Sequence, residues 1–500
     1  MTVLSVLAAS LLAAQPAPPA SLPDHGIAVE GVTRYDPDHL VHFAIQHIRD
    51  AGETLTDRHL VEAVEILYRE DGYFLAEATA FQRDGKWVLH VNEGRIEEVR
   101  VDGVSDEAAS AITARFAPMV GIVAPTQDAF DRRFLLADDL DGIDLRANIH
   151  HEGSEGSILE LHASQRKSSF LVSLDTINIA PDMGGRLVLD AAAMSLLATG
   201  DRLQVTGVGT LEPDDGFGVA GLARYRTPLG NGGTFLELRG GTAFGERDIG
   251  TLRLDSTLEG KQAAIAIGHA IVRRPGTFIM LIGEAEYRDA DSRLGSSEFD
   301  SNSRALRAFL VGGHTAANGT FVEAELAASV GLSDDPSIAS RGDDDAGFAH
   351  INAVFGVAVP VGTKTQVQLE TAGQLALDDL PALERYYAGH QPSLRGYGLG
   401  EAVGDDAAIA SFSLDHLLKD SARSQVSAFA FVEAGHFRQR ADRLSPKVDY
   451  SLASLGAGMR AHGSTGWGYE AWLALPLEDG PRSDAGDLAF YARITKAFAK

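Results

Sequence analysis

Residues 201–211 read Asp-Arg-Leu-Gln-Val-Thr-Gly-Val-Gly-Thr-Leu. Leu203, Val205 and Leu211 point one way, and Arg202, Gln204, Thr206 and Thr210 point the other. This is the period of two that defines a strand. Lys364–Ala376 repeats it, with Val367 and Leu369 set against Gln366, Gln368 and Glu370. Gly319–Val330 sets Val322, Ala324, Leu326 and Val330 against Glu323 and Glu325. Charged residues, and not merely Ser and Thr, occupy the second face. A soluble sandwich alternates as well, but three features favour a transmembrane barrel. The strands run about 9–13 residues where soluble ones run about 5–6. Their apolar face is rich in Gly and Ala, weak material for a packed core. An apolar leader precedes the whole. In a barrel, a one-residue slip would swing Arg202 into lipid at about 2–4 kcal/mol near the midplane, so register is well specified.

From residue 166 onward there are about seventeen candidate strands. Thr251–Glu259 and Gln262–Val272 merge into one around Gly260-Lys261, which leaves about sixteen, at about 21 residues per strand and loop. Upstream, the periodicity is mixed. Ile27–Val32 alternates as a strand, Asp36–Asp50 puts Leu40, Phe43, Ala44 and Ile48 on one helical face, and Thr56 and Asp57 can cap a second helix carrying Leu60, Val61, Val64 and Leu67. Tyr73–Gln82 and Lys86–Val91 follow as strands around the turn Arg83-Asp84-Gly85. The same β-α-α-β-β order recurs over residues 95–165: strand Arg95–Val101, helices Ala108–Phe116 and Thr126–Leu140, strands Leu145–His151 and Ser157–Ala163. Two such modules of about 70 residues are an internal duplication of architecture. The division expected is a leader and short Pro-rich linker at 1–25, modules at 26–94 and 95–165, and a barrel at 166–500.

Composition bounds the function. The 500 residues are 45% hydrophobic and carry a net charge of −27, and there is no Cys. Disorder is excluded by the apolar content, and nucleic acid is not an expected partner of so acidic a chain. Disulfides, thiol catalysis and Cys-ligated zinc are excluded. A mean hydropathy of −0.04 is too low for a bundle of membrane helices but suits a barrel of alternating strands. Val3–Ala14, followed by a Pro-rich stretch, has the form of an export signal peptide, although no Lys or Arg precedes it. His39, His42 and His47, the pair His150-His151, and the acidic clusters Asp334-Asp335 and Asp343-Asp344-Asp345 are read as solvated groups and not as metal sites. No Gly-x-Ser-x-Gly elbow, His-Glu-x-x-His or nucleotide-binding loop occurs, so neither an enzyme nor a cofactor is expected.

Glu93-Gly94-Arg95-Ile96-Glu97-Glu98-Val99 resembles the junction between the two polypeptide-transport-associated (POTRA) domains of two-partner secretion transporters, outer-membrane pores of the haemolysin-secretion type. Phe130–Asn148 is similar to the second helix and following strand of the second POTRA domain. Ser393-Leu394-Arg395-Gly396-Tyr397 resembles the [V/I]-R-G-[F/Y] tip of the family's long sixth outer loop, which folds back into the barrel. Phe431-Val432-Glu433-Ala434-Gly435 resembles the F-x-D-x-G strand motif whose carboxylate receives that arginine. The tip lies in a gap of about 30 residues between candidate strands, far longer than an ordinary turn. Five candidate strands follow it (406–416, 425–436, 451–463, 465–475 and 487–498), the number the resemblance implies, and the second carries the F-x-D-x-G motif.

The resemblance therefore implies two periplasmic POTRA domains and a sixteen-stranded antiparallel transmembrane barrel in the outer membrane. It implies export of one large β-helical exoprotein as the function, with outer-membrane lipid and the barrel-assembly machinery as further partners. Arg395, Gly396 and Tyr397 would form the loop motif in the lumen, with Phe431, Glu433 and Gly435 as its strand partner. The edge of the second POTRA domain, at Leu145, Ala147 and Ile149, would receive the substrate by strand addition. Three departures stand out: Glu433 replaces the usual Asp, the last residues are Phe498-Ala499-Lys500 where an aromatic is usual, and Gln15–Gly26 is too short and Pro-rich for a plug helix. The alternatives are a barrel-protein insertase of the same superfamily and a passive porin or binding barrel.

Overall fold

The computed structural model describes residues 26–152, 156–177, 184–211, 216–249, 254–333, 347–388, 394–398, 400–440 and 447–499. The expected leader, the acidic clusters at 334–335 and 343–345, Ser393 and Lys500 lie outside them. By their contacts the residues fall into two compact units, with the second β-α-α-β-β repeat contributing segments to both.

The first repeat is β1 (Ile27–Glu30), α1 (Pro37–Asp50), α2 (Asp57–Glu70), β2 (Glu77–Arg83) and β3 (Lys86–Asn92). Asp36 caps α1 by accepting from the amides of Asp38 and His39, and Pro37 fits the first turn because its missing N–H has no partner there. Thr56 caps α2 through the amide of His59. The helices bury Leu40, Ala44, Ile48, Leu60, Val64 and Tyr68 against Ala78, Leu89 and Val91 of a sheet ordered β1-β3-β2. Asp84 and Gly85, at φ 53° and 75°, make the two-residue hairpin turn. The strand expected from Tyr73 begins only at Glu77. Residues 73–76 are a turn in which the Tyr73 amide donates to the Tyr68 carbonyl and that of Ala76 to Tyr73.

The Glu93-Gly94 pair closes this module. Glu93 is 3% exposed. Its carboxylate accepts from the amides of Thr33 and Arg34 and from the Tyr68 hydroxyl, each at 2.8 Å, and from the Thr33 hydroxyl. A β-carbon on Gly94 would sit 2.6 Å from Leu75. Burial pushes the Glu93 carboxyl up, but the hydrogen bonds from Thr33, Arg34 and Tyr68 outweigh it and hold the group below its ordinary value of 4.5. A depressed carboxylate contributes stability that is present above the unfolded value and lost as pH falls through the folded one. Protease resistance of the module in the intact protein should therefore weaken below about pH 4.5. Glu93→Ala should weaken it at neutral pH by about 1–3 kcal/mol and remove that pH dependence.

The second repeat is β4 (Ile96–Asp102), α3 (Asp106–Phe116), α4 (Gln127–Asp138), β5 (Ile143–Glu152) and β6 (Gly156–Gln165), with its sheet ordered β4-β6-β5. β5 is thus an edge strand.

Sixteen strands then close into a barrel, each antiparallel to its neighbours. The first eight are β7 (Ser168–Ile177), β8 (Gly184–Met194), β9 (Arg202–Leu211), β10 (Phe217–Leu229), β11 (Thr234–Ile249), β12 (Leu254–Arg274), β13 (Thr277–Leu294) and β14 (Ser297–Thr315). β15 (Phe321–Ser333), β16 (Gly347–Val361) and β17 (Thr365–Ala376) lead into a long connection holding the short ribbon β18 (Tyr386–Ala388) and β19 (Ala402–Gly404). β20 (Asp406–Ser421), β21 (Ser424–Gln439), β22 (Val448–Gly463), β23 (Trp467–Pro476) and β24 (Ala489–Ala499) complete the wall. The ring shuts where β24 pairs with β7, from Arg493↔Asp175 to Ala499↔Ser169.

The two faces are chemically opposite. Alternate residues of successive strands (Leu238, Ile265, Ile267, Leu281, Leu306, Leu326, Val354, Phe412, Val432 and Leu455) are exposed on the outside, Leu306 to 64%. An apolar belt of that extent is a membrane surface. The positions between them carry Asp175 bound to Arg186, Asp190 accepting from Gln204 and Thr206, Arg239 paired with Glu284, and Arg307 with Glu286. β12 runs unbroken for 21 residues. Gly260 pairs with Ala243 on one side and Ala290 on the other, so Gly260-Lys261 is not a turn.

Candidate functional site

The connection from β17 to β20 is the site. Its tip, Leu394–Tyr397, packs against the inner wall formed by β20, β21 and β22. Leu394 is fully buried among Tyr397, Ala402, Ala407, Ile409, Phe437 and Leu452. It adopts φ 59°, and Gly396 follows at φ 103°, a conformation side chains disfavour. Two backbone reversals within three residues thus put Leu394 into the wall and aim Arg395 sideways.

Arg395 meets Glu433 of β21. Nη2 lies 2.6 Å and Nε 2.8 Å from Oε1, and the Arg395 amide donates to Oε2 at 2.5 Å. The Ser411 hydroxyl of β20 donates to the same Oε1 at 3.0 Å. The guanidinium lies 3.5 Å from the centre of the Phe431 ring, the planar stacking that arginine allows and lysine does not. Phe431 is fixed in turn by Phe429, Trp472, Ala474, Ala489 and Tyr491. Side-chain exposure is 12% for Arg395 and 0% for Glu433, so the pair is screened from bulk water and each charge depends on the other.

The remaining motif residues hold this geometry. The Tyr397 hydroxyl lies 2.8 Å from the Ala453 carbonyl and 2.9 Å from that of Glu478. It also accepts from the amides of Ala453 and Glu478, which ties the tip to β22 and to the β23–β24 connection. A β-carbon on Gly435 would lie 3.0 Å from Leu394 Cδ1 and 2.9 Å from the Phe437 ring. Gly435→Ala should therefore lift the tip without disturbing the pairing of β21 with β20 and β22. The expected result is a folded barrel whose loop is cut by external protease faster than in the native protein.

The structure thus places Arg395, Gly396, Tyr397, Phe431, Glu433 and Gly435 in one constellation. Leu145, Ala147 and Ile149 lie elsewhere, on β5. There Leu145 is buried and Ala147 and Ile149 are half-buried, while Asp144, Arg146, Asn148 and His150 are exposed. β5 is therefore an edge strand whose polar face is exposed. Sequence reasoning missed Glu401. It accepts from Gly398, from the Ser483 hydroxyl, and from the amides of Arg482 and Ser483 at 2.6 and 2.8 Å. It also missed the buried cluster at the loop base around Glu384, Arg307 and Glu286. Among the described residues no group of three His, Asp or Glu is placed to hold a metal.

A family model described as haemolysin secretion/activation protein ShlB/FhaC/HecB matches residues 155–461. A comparison with curated proteins gives no match. Among solved structures, the chain is similar to CdiB from Escherichia coli, with a TM-score of 0.75 and 18% identity over 94% of this chain and 90% of that one. It is similar to CdiB from Acinetobacter baumannii, at 0.69 and 15% over 94% and 89%. BamA from Haemophilus ducreyi lacking POTRA domains 1-3 gives 0.55 and 14% over 93% and 98%. At such identities these likenesses bear on fold alone, whereas the family match spans more than half of the chain and takes in both the loop and β21. The chain therefore belongs to the haemolysin secretion/activation family, the two-partner secretion transporters, and is an outer-membrane β-barrel protein with its N-terminal modules on the periplasmic side.

Proposed function

We propose that this transporter exports one large exoprotein, unfolded, through the barrel lumen, and that Arg395–Glu433 holds the loop in the conformation competent for secretion. The observation that carries this reading is the buried ion pair between a loop tip and the inner wall. A purely structural barrel has no use for a loop folded into its own lumen. An arginine there meets a polar interior and avoids the cost of lipid.

Residues 26–94 and 95–165 act as POTRA domains in this reading, residues 166–500 as the barrel, and residues 1–25 as a signal peptide, which brings the chain across the inner membrane, and a short Pro-rich linker. The partner is recognised by strand addition at the edge formed by β5, around Leu145, Ala147 and Ile149. No nucleotide is used. Folding of the cargo on the outer side makes passage irreversible, and the barrel-assembly machinery places the protein in lipid. Barrel-protein insertion, the activity of an insertase of the same superfamily, is the rival reading. Coexpression with large candidate exoproteins encoded nearby separates the two. Export predicts cargo in the medium that disappears without the transporter, while outer-membrane barrels stay at normal levels. Loss of those barrels instead would establish insertion.

A further inference from the structure

The loop is held at a second place besides its tip. Just after β17, residues Ala382–Glu384 form a single 3-10 turn. Glu384 there is 3% exposed. Its carboxylate accepts two 2.8 Å bonds from Arg307 Nη2 of β14 and one of 2.6 Å from the Ser303 hydroxyl, and His350 Nε2 of β16 lies 3.1 Å away. Arg307 also donates to Glu286 of β13 at 2.9 Å, and Arg288 lies 3.0 Å from the same carboxylate while donating to the Leu383 carbonyl. The wall alone thus presents two guanidiniums to one carboxylate. Glu384, from the loop, supplies the charge that balances it.

The two attachments fall on different parts of the ring. The tip docks on β20–β22, and the base docks on β13, β14 and β16 and on β17, whose Gln374 Nε2 donates to the Glu384 carbonyl at 3.0 Å. Beside the base lies a cavity of about 760 Å³, walled by Leu222, Ala243, Leu258 and Ala290 of the barrel and by Leu383 and Tyr387 of the loop. Displacing the base would enlarge this space. Displacing the tip alone would leave the base bound to the wall.

We infer that Glu384 is a second latch, a positioning residue that keeps the base of the loop in the lumen and sets how often the empty channel opens. The inference rests on the reading that the loop governs passage. Its test needs no cargo, so the two can fail separately. Purified protein is inserted into planar lipid bilayers and its open fraction measured, with heat-modifiable migration as the check of folding. In parallel, Leu383→Cys, introduced into a chain without cysteine, is probed in intact cells with a membrane-impermeant maleimide.

Glu384→Ala should raise the open fraction about tenfold or more and speed labelling at position 383, because one buried partner is removed while Arg307 keeps Glu286. Glu384→Gln keeps the shape and an acceptor for Ser303. It should give a smaller rise, and it serves if the alanine variant does not insert. Combined with Arg395→Ala, Glu384→Ala should exceed either single change. A native open fraction in the folded Glu384 variants, with unchanged labelling, would overturn the inference even if export proceeds. Opening that rises while no cargo is ever exported would leave the latch standing and remove the function proposed above.

Discussion

Arg395→Ala should leave the barrel folded and inserted while export of the cognate exoprotein falls by two decades or more. The substitution removes the bonds from Nε and Nη2 to Glu433 and the stacking on Phe431. It leaves a fully buried carboxylate with only the Arg395 amide and Ser411 as donors. Breaking a buried pair from one side costs about 3–5 kcal/mol, and about 1.4 kcal/mol is a tenfold change in the docked-to-undocked ratio. Stability of the ring rests on its strand ladders, so heat-modifiable migration should be native. Arg395→Lys should recover little, because an ammonium offers neither the fork nor the flat face. Quantitative immunoblotting of medium against outer membrane measures the effect, and undiminished export by the alanine variant would refute the role assigned to the pair.

Substituting the partner should produce the other large effect, with a size that depends on the residue. Glu433→Lys removes the carboxylate that Arg395 meets and places an ammonium beside the guanidinium in a buried site, so export should fall at least as far as in Arg395→Ala. Glu433→Asp keeps the charge and shortens the arm by one methylene. The long arginine stem can follow, although the contact to the Arg395 amide lengthens, so a loss of about 1 kcal/mol or less is expected. Equal export by the lysine and aspartate variants would show that charge at position 433 does not act through Arg395.

The barrel was legible because lipid outside and water inside force a period of two onto every strand, and in strands as long as Arg202–Leu211 or Thr365–Ala376, with Arg202 and Glu370 on the polar face, that period favours a barrel over a soluble sandwich. Less legible were strand ends. The single strand expected across Gly260-Lys261 is present as β12, where both neighbours supply ladder partners, but it runs from Leu254 to Arg274 and not from Thr251 to Val272. β12, β13 and β14, at 21, 18 and 19 residues, also exceed the expected range, since pairing continues as long as each neighbour does. The tip motif could be found because its residues are contiguous. Glu384, Arg307 and Glu286 could not. They come from three separate segments, and in a lumen full of carboxylates and guanidiniums no spacing distinguishes the partners that meet. Leu394 was similarly silent, since a leucine in a loop carries no mark of the left-handed backbone that buries it.

The β7–β24 pairing joins residues 169–175 to residues 493–499, more than 300 positions apart. Every other seam can form between segments that are near each other in sequence, but this one closes the longest loop in the chain and gains its ladder only after that loop's entropy has been lost. Until then the sheet has two free borders, each a template for foreign strands. Biogenesis should accordingly stall at a single late event, an open ribbon awaiting its final segment. A chaperone that shields those borders would matter more than one that shelters any individual hairpin.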